Sequence, residues 1–378
     1  MKDTVIKGDG TSRTLKAPAS MPETFEEWRS QLLAGNATMD IGLNSDGCTV
    51  VGTAMSKANL LSDTTKAALE LSQSDPTVND ALYALSQKGS PAEVRVMGDV
   101  GTTVTMTRGS KTLSGTVAST GYATLYPTEL GDWTITFTYD GSQKVKVFTL
   151  EVIGIVTVYP FVVGNSLEET SWSDLSIMSK FGVCDKYFKV GDTKNITVNG
   201  VSYPVQIIGF NHDTLTSGGT AGMTFQLVNC LATKYQMETS NTNANGWEGC
   251  LMRKTTLNST IYGQLNSDLK AVIKAVNKVS SVGNNSSGPE TTSDKLFLLS
   301  EIEIFGSTTY SFAGEGKQYE YYAAGNSTIK TVSGSANYWW ERSPWSGDTN
   351  YFCFVYSDGS ANSCIASNSC GVSFGFCV

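Results

Sequence analysis

Reactive side chains are scarce in this chain, and the few present are poorly placed for catalysis. Its one histidine, His212, sits in Phe210-Asn211-His212-Asp213. A Ser-His-Asp triad would have to use that imidazole, and no G-x-S-x-G turn presents a serine to it. No second histidine or nearby cysteine pair offers a metal shell, so His212 reads as a neutral ring bonded to loop backbone. Asp213 suits a cap or a turn rather than a base. Of eight cysteines, Cys48, Cys184, Cys230 and Cys250 are scattered, while Cys353, Cys364, Cys370 and Cys377 crowd the last 26 residues, and none forms a C-x-x-C pair. That spacing disfavours zinc and a disulfide framework, so the thiols read as reduced. Gly314-Glu315-Gly316 lacks the third glycine of a nucleotide loop. Neither a metal nor a cofactor is expected.

Recognition is better represented than catalysis. Ten of the 38 aromatic residues fall between Tyr338 and Phe376, and no Lys, Arg or His follows Arg342. Between Ser346 and Cys370 lie six Ser, three Asn, two Tyr and two Asp, with no long charged side chain. Rigid aromatics among small polar groups are the composition of a paratope. An ordinary polar β-meander turning at Asp358-Gly359 has the same composition, and both readings stand on residue types alone.

The elements that must position these residues differ along the chain. Residues 1–90 show short helical signals. Pro22-Glu23 opens a helix with Phe25, Trp28 and Leu32 on one face, closed by Gly35; Asp75-Pro76 opens another with Val78, Ala81, Leu82 and Leu85. So thin a core reads either as a small helical cap or as a segment that docks or oligomerises. From 91 to 156 the period is two: Asp132–Tyr139 alternates apolar residues with threonine, and Asp140-Gly141 turns it into Lys144–Val152. Thr103–Thr107 and Gly121–Leu125 look like further short strands. Together these predict a small Ig-like sandwich serving as a spacer.

From 159 to 378 one larger domain of mixed character is predicted. Ser171-Trp172-Ser173-Asp174 caps a helix running towards Lys180. Asn199-Gly200 joins strands Asn195–Val198 and Val201–Phe210. Asp268–Lys278 reads as a helix with Leu269, Val272, Ile273 and Val276 inward, and Lys295–Ile304 as a buried strand. Asn211–Ala221, Lys234–Gly249 and Ser280–Ser293 read as long loops. Tyr351–Tyr356 reads as a buried strand with Phe354 and Tyr356 on one face and Tyr351, Cys353 and Val355 on the other.

A net charge of −8 repels polyanions, which argues against nucleic acid as a main partner. The start, MKDTVIKGDGTSRTLK, has no apolar h-region, and no run of eighteen apolar residues follows. The expectation is therefore synthesis in a cytoplasm without a signal peptide and without membrane insertion.

Ordered motifs add a resemblance over about 160–378. Tyr338-Trp339-Trp340-Glu341-Arg342-Ser343-Pro344, Asn350-Tyr351-Phe352-Cys353, Ser357-Asp358-Gly359 and Gly371-Val372-Ser373-Phe374-Gly375-Phe376-Cys377 resemble a domain family of tail-tip and tail-fibre proteins in phages of Gram-positive gut bacteria. Gly191-Asp192-Thr193-Lys194, Ile208–Asp213, Gly246-Trp247-Glu248, Met252-Arg253, Asp294–Ser300, Glu315-Gly316 and Gln318-Tyr319 belong to the same set. Val5-Ile6-Lys7-Gly8 and the early helices resemble the amino ends of such proteins. The W-x-R-S start and G-F-x end are similar to the C-type-lectin-like fold of formylglycine-generating enzymes and of retroelement-diversified variable proteins. Gly375-Phe376-Cys377 departs from the usual Gly-Phe-Arg ending, and the calcium signature of sugar-binding lectins is absent.

The resemblance implies an α+β, mainly β chain: a helical segment over 1–90, an Ig-like sandwich over 91–156, and a C-type-lectin-like ligand-binding domain over 159–378 with a variable region at about 338–378. It implies a non-catalytic virion adhesin that binds a bacterial cell-surface protein or glycan. The amino-terminal segment would engage other tail proteins or bring protomers together, a homotrimer being favoured. The expected binding residues are Trp345, Asp348, Asn350, Tyr351, Phe354, Tyr356, Asp358, Asn362, Cys364, Ile365, Asn368 and Cys370, with Trp339, Trp340 and Arg342 structural beneath them. Two alternatives are a bacterial surface adhesin and a thiol oxidase on the formylglycine-generating scaffold, which would need a reactive cysteine pair in a cleft, one that Cys353 and Cys377 could supply if their strands are adjacent.

Overall fold

A computed structural model describes residues 4–6, 12–14, 92–151 and 154–378. The helices expected over 1–90, and Cys48 with them, lie outside the described residues. What is described there is an antiparallel pair, β1 (Thr4–Ile6) with β2 (Ser12–Thr14). The chain divides into two compact units, Met1–Val158 and Tyr159–Val378. Strands outnumber helices in the described residues, giving an α+β architecture that is mainly β.

Beside that pair, seven further described strands of the first unit form two sheets. They are β3 (Glu93–Met97), β4 (Thr103–Arg108), β5 (Lys111–Thr116), β6 (Tyr122–Leu125), β7 (Gly131–Tyr139), β8 (Ser142–Leu150) and β9 (Ile155–Val158). The sheet orders are β6-β3-β9 and β5-β4-β7-β8. The alternation in β7 does what its period requires: Trp133, Ile135 and Phe137 are buried, and the threonines between them are half-exposed. Asp140 and Gly141 both have positive φ (52° and 67°), the backbone of a tight hairpin turn whose twist matches the flanking strands.

In the second unit a four-stranded antiparallel sheet runs in the order β10 (Thr193–Val198), β11 (Val201–Phe210), β12 (Met223–Leu227), β20 (Gly375–Cys377). Asn199 and Gly200 make its hairpin, again with positive φ (47° and 78°). Helix α1 (Trp172–Lys180) starts where Ser171 accepts the Asp174 amide, and Trp172 meets Phe225 and Phe376 edge-on. It packs beside α2 (Ser267–Val272). A single hydrophobic cluster extends through this unit from Phe161 to Val378.

Three expectations need correction here. The helix read over Asp268–Lys278 ends at Val272, and Val276–Gly283 is strand β13. Leu269, Val272, Ile273 and Val276 fit a helical stripe, but Val276 belongs to a period-two run whose buried members include Lys278 and Ser280. The loop read over Ser280–Ser293 is the rest of a hairpin, in which β13 pairs with β14 (Ser286–Asp294) through Asn284 and Asn285, both at positive φ. Its polar sequence hid a strand stabilised by buried hydrogen bonds. Lys295–Ile304 is not a strand. Leu296–Leu299 is buried extended chain bridged to Gly375 at Phe297, and Ser300 then opens helix α3 (Glu301–Phe305) with a reciprocal capping box to Glu303.

A short pair, β15 (Lys330–Val332) with β16 (Ser335–Asn337), leads into the sheet that carries the candidate site. That sheet has the order β17 (Trp339–Pro344), β18 (Tyr351–Val355), β19 (Ala361–Ile365). Between Trp340 and Pro344 the register shifts, because β17 spans four residues where β18 spans two. The bulge drives Glu341, Arg342 and Ser343 into the interior, and all three are fully buried.

Candidate ligand-binding surface

Beneath the surface lies a network of buried charges. Lys278 Nζ donates to Asp213 Oδ1 (2.7 Å), Glu303 Oε1 (2.8 Å) and the Tyr319 hydroxyl (2.9 Å). Arg342 donates to Glu303 through Nη1 (2.5 Å) and Nη2 (2.9 Å), and to the carbonyls of Leu298 and Glu315. Burial alone would raise the Glu303 carboxyl, but Arg342 and Lys278 more than reverse this and hold it below the usual range. Asp213 is likewise held well down against its burial, chiefly by Lys278. Asp213 is thus an anchor at the centre of a network, not a turn former. His212 stacks on Tyr319 with ring centroids 3.9 Å apart, and its Nε2 lies 3.1 Å from the Lys317 carbonyl.

Glu341 differs from its neighbours. Both carboxyl oxygens are buried and have no hydrogen-bond partner. Burial, with Glu301 and Glu315 nearby, pushes its pKa well above the ordinary carboxylate value. Glu301 accepts from the amides of Thr309, Tyr310 and Ser311 and so clamps that loop. The Tyr310 carbonyl in turn accepts from the amide and hydroxyl of Ser346. Asn243, fully buried, donates through Nδ2 to the carbonyls of Asp348 and Tyr351, both at 2.8 Å, and accepts the Asn284 amide on Oδ1. Gly283 leaves room for this residue, since a Cβ there would fall 1.8 Å from the Asn243 carbonyl.

On this frame the twelve expected binding residues do not form one face. In β18 and β19, Tyr351 lies opposite Ile365, Phe352 opposite Cys364, and Phe354 opposite Asn362. Successive side chains point to opposite sides, so the set divides. One side carries Tyr351 and Ile365, with Trp345 edge-on to Tyr351 at 5.2 Å and tilted to Tyr310 at 6.3 Å. The other carries Asn362, Cys364 and an aromatic row in which Phe354 meets Tyr338, Trp340 and Tyr356 at 5.7–6.2 Å. Lys234 Nζ sits 4.9 Å from the Tyr338 ring centre. Trp345, Asp348, Tyr351, Asn362, Cys364 and Ile365 are half-buried, while Asn350, Tyr356, Asp358 and Asn368 are exposed. Two expected residues are interior: Phe354, covered by its aromatic neighbours, and Cys370, whose backbone bridges Tyr235. Asp348 and Asp358 spend an oxygen on their own turns, accepting the amides of Asn350 and Ser360. Tyr310, Tyr338 and Lys234 were missed as surface residues and Asn243 as their buried support; Tyr310, Lys234 and Asn243 come from segments distant in sequence, whereas Tyr338 adjoins the interior pair Trp339-Trp340.

Residues 221–378 match the model of a domain of unknown function, DUF6273. The match takes in β12 onwards, and with it the whole candidate surface and most of the buried network. Neither curated proteins nor solved structures gave a match to the chain.

The seven described cysteines are free thiols. Cys353 lies in the β17-β18-β19 sheet and Cys377 in the β10-β11-β12-β20 sheet, so their strands are not neighbours. Both are fully buried, and burial raises both thiols well above their ordinary pKa. Cys353 and Cys377 therefore do not form an adjacent-strand pair. Among the described residues no helix is long and apolar enough to cross a membrane.

Proposed function

We propose that this protein is a non-catalytic receptor-binding protein of a phage tail. In this reading Tyr159–Val378 is a C-type-lectin-like domain, the sheets of 91–156 form an Ig-like spacer, and the segment before residue 90 joins the virion and the protomers. The ligand is a protein or glycan on the bacterial surface. The observation that carries the reading is the surface from Trp345 to Asn368. There half-exposed aromatics stand among small polar side chains on the two sides of the β18–β19 edge, and buried ion pairs of Arg342 fix the neighbouring strand β17. A rigid base under an adaptable, charge-poor rim is how a binding surface gains contact area at little conformational cost. Retroelement diversification of 338–378 fits the same surface, since its exposed positions, Gly347 apart, are Asn, Asp, Ser and Tyr.

The anchors of this surface are Trp345 and Tyr356, and truncating a central aromatic costs about 2 kcal/mol of binding or more. Host-cell adsorption by Trp345→Ala and Tyr356→Ala variants that melt at the wild-type temperature tests this. Reduced adsorption by at least one is expected, and full adsorption by both places the receptor site elsewhere.

A further inference from the structure

A second feature of the Tyr159–Val378 unit lies outside the 338–370 stretch. The segment Met252–Ile261 is a π-helix, ten residues long, where most such structure is a single-turn bulge. Its buried positions, Met252, Thr256, Leu257 and Ile261, recur every four to five residues, which matches the wider turn. The opposite side sets Arg253, Lys254, Asn258 and Tyr262 around an open cleft of about 450 Å³, bordered across from them by Ala275, Ser293 and Lys295. The two walls are stitched together. Asn258 donates to the Leu296 carbonyl (3.0 Å) and accepts the Leu296 amide (3.1 Å). Lys295 Nζ donates to the Tyr262 hydroxyl (3.0 Å) and lies 4.8 Å from its ring centre.

The charge in the cleft runs against the charge of the chain. Three cations face two carboxylates: Asp294, which accepts Arg253 Nε at 2.6 Å, and Glu248, 3.8 Å from Lys254. One net positive charge is left in a protein of net charge −8. Arg253 gives one Nη1 proton to the Glu248 carbonyl and one Nη2 proton to the Ser293 carbonyl, which leaves the second proton on each nitrogen for another acceptor. Lys295 has two more. The volume lies within the range of small-molecule sites and exceeds the needs of a bare ion.

We propose that this cleft is a binding site for a monoanionic group, carboxylate or phosphodiester, carried on a sugar or polyol. The anion sits between Arg253, Lys254 and Lys295, and the sugar or polyol body lies against Tyr262. Calorimetric titration of the full-length chain with glucuronate, with glycerophosphoglycerol, and with neutral glucose and glycerol tests it. Binding of at least one anion is expected, with neither neutral compound binding. Lys254→Ala and Lys295→Ala should each weaken it about tenfold, the scale of a lost charge-assisted hydrogen bond. Because both lysines are exposed, the variants should melt with the wild type. A preference for glucuronate assigns the source to acidic polysaccharide, and a preference for the diester assigns it to a polyol-phosphate polymer. Trp345→Ala and Tyr356→Ala should leave this binding unchanged, so its result is independent of the adsorption test. Binding of neither anion, equal binding of glucose, or full affinity in both lysine variants would overturn the proposal.

Discussion

Arg342 holds Glu303 with two nitrogens of one guanidinium, at 2.5 and 2.9 Å, with neither residue reached by solvent. The strand bulge that brings Arg342 inward and the capping box that fixes Glu303 come from segments about forty residues apart. Removing one partner leaves a buried charge uncompensated, which costs roughly 3–5 kcal/mol. Arg342→Met should therefore lower the unfolding free energy by about that amount in urea titration. Arg342→Lys should recover only part of it, since an ammonium cannot make the paired contact.

Glu341 and Glu315 make stability fall as pH rises. Burial lifts Glu315 to about 7, and lifts Glu341 well above its ordinary value. Both are protonated in the fold at pH values where the unfolded chain has released the proton, so the unfolded state is favoured as pH rises from about 4.5 towards 7. Asp213 and Glu303 act in the opposite sense at lower pH, because their lowered values withdraw stability as pH falls below the ordinary carboxylate range. A stability maximum at mildly acidic pH is expected in denaturant melts. Glu341→Gln should raise the melting temperature at pH 8 more than at pH 5, and an equal gain at both would show that Glu341 is ionised in the fold.

Cys364 should be the first of the seven described thiols to react. It is half-buried, and hydrogen bonding from Cys370, then from Asn368 at 3.0 Å, lowers it to about 6 despite some burial. Burial instead lifts Cys184, Cys230 and Cys250 to about 12. Peptide mapping after brief iodoacetamide treatment of the native protein at pH 7 should find label at Cys364 well before those three.

Asn243→Ala should free the 345–351 loop without unfolding the unit. It leaves the Asp348 carbonyl without its Asn243 donor and the Tyr351 carbonyl with the Trp345 amide alone, a loss of about 1–3 kcal/mol. Faster proteolytic cleavage between 345 and 351 is expected. Gly283→Ala should be worse, because the close approach to the Asn243 carbonyl is compounded by a φ of +75°.

The parts of the fold that a sequence can announce locally were legible. Asp140-Gly141 and Asn199-Gly200 each carry their own turn geometry, and Ser171 caps the helix that follows it. The alternating faces of 351–356 likewise follow from the pleat. Lys278 could not be placed, because its partners Asp213, Glu303 and Tyr319 are 65, 25 and 41 residues away. The β14 strand was hidden by polar residues whose pairing is with backbone and not with an apolar face. The surface residues were read as one set because they are close in sequence. A sheet edge with two accessible sides divides such a set, and no local pattern reports that an edge is open on both.

The clamps on the 309–311 and 345–351 loops read mainly main chain, the Ser311 hydroxyl on Glu301 excepted. Asn243 binds carbonyls and Glu301 binds chiefly amides, groups that nearly every amino acid supplies. Side chains at 310, 345 and 350 can consequently be exchanged without breaking these clamps, whereas Asp348 also holds its own turn through the Asn350 amide. Such an arrangement separates the position of the loops from the chemistry of the side chains they carry.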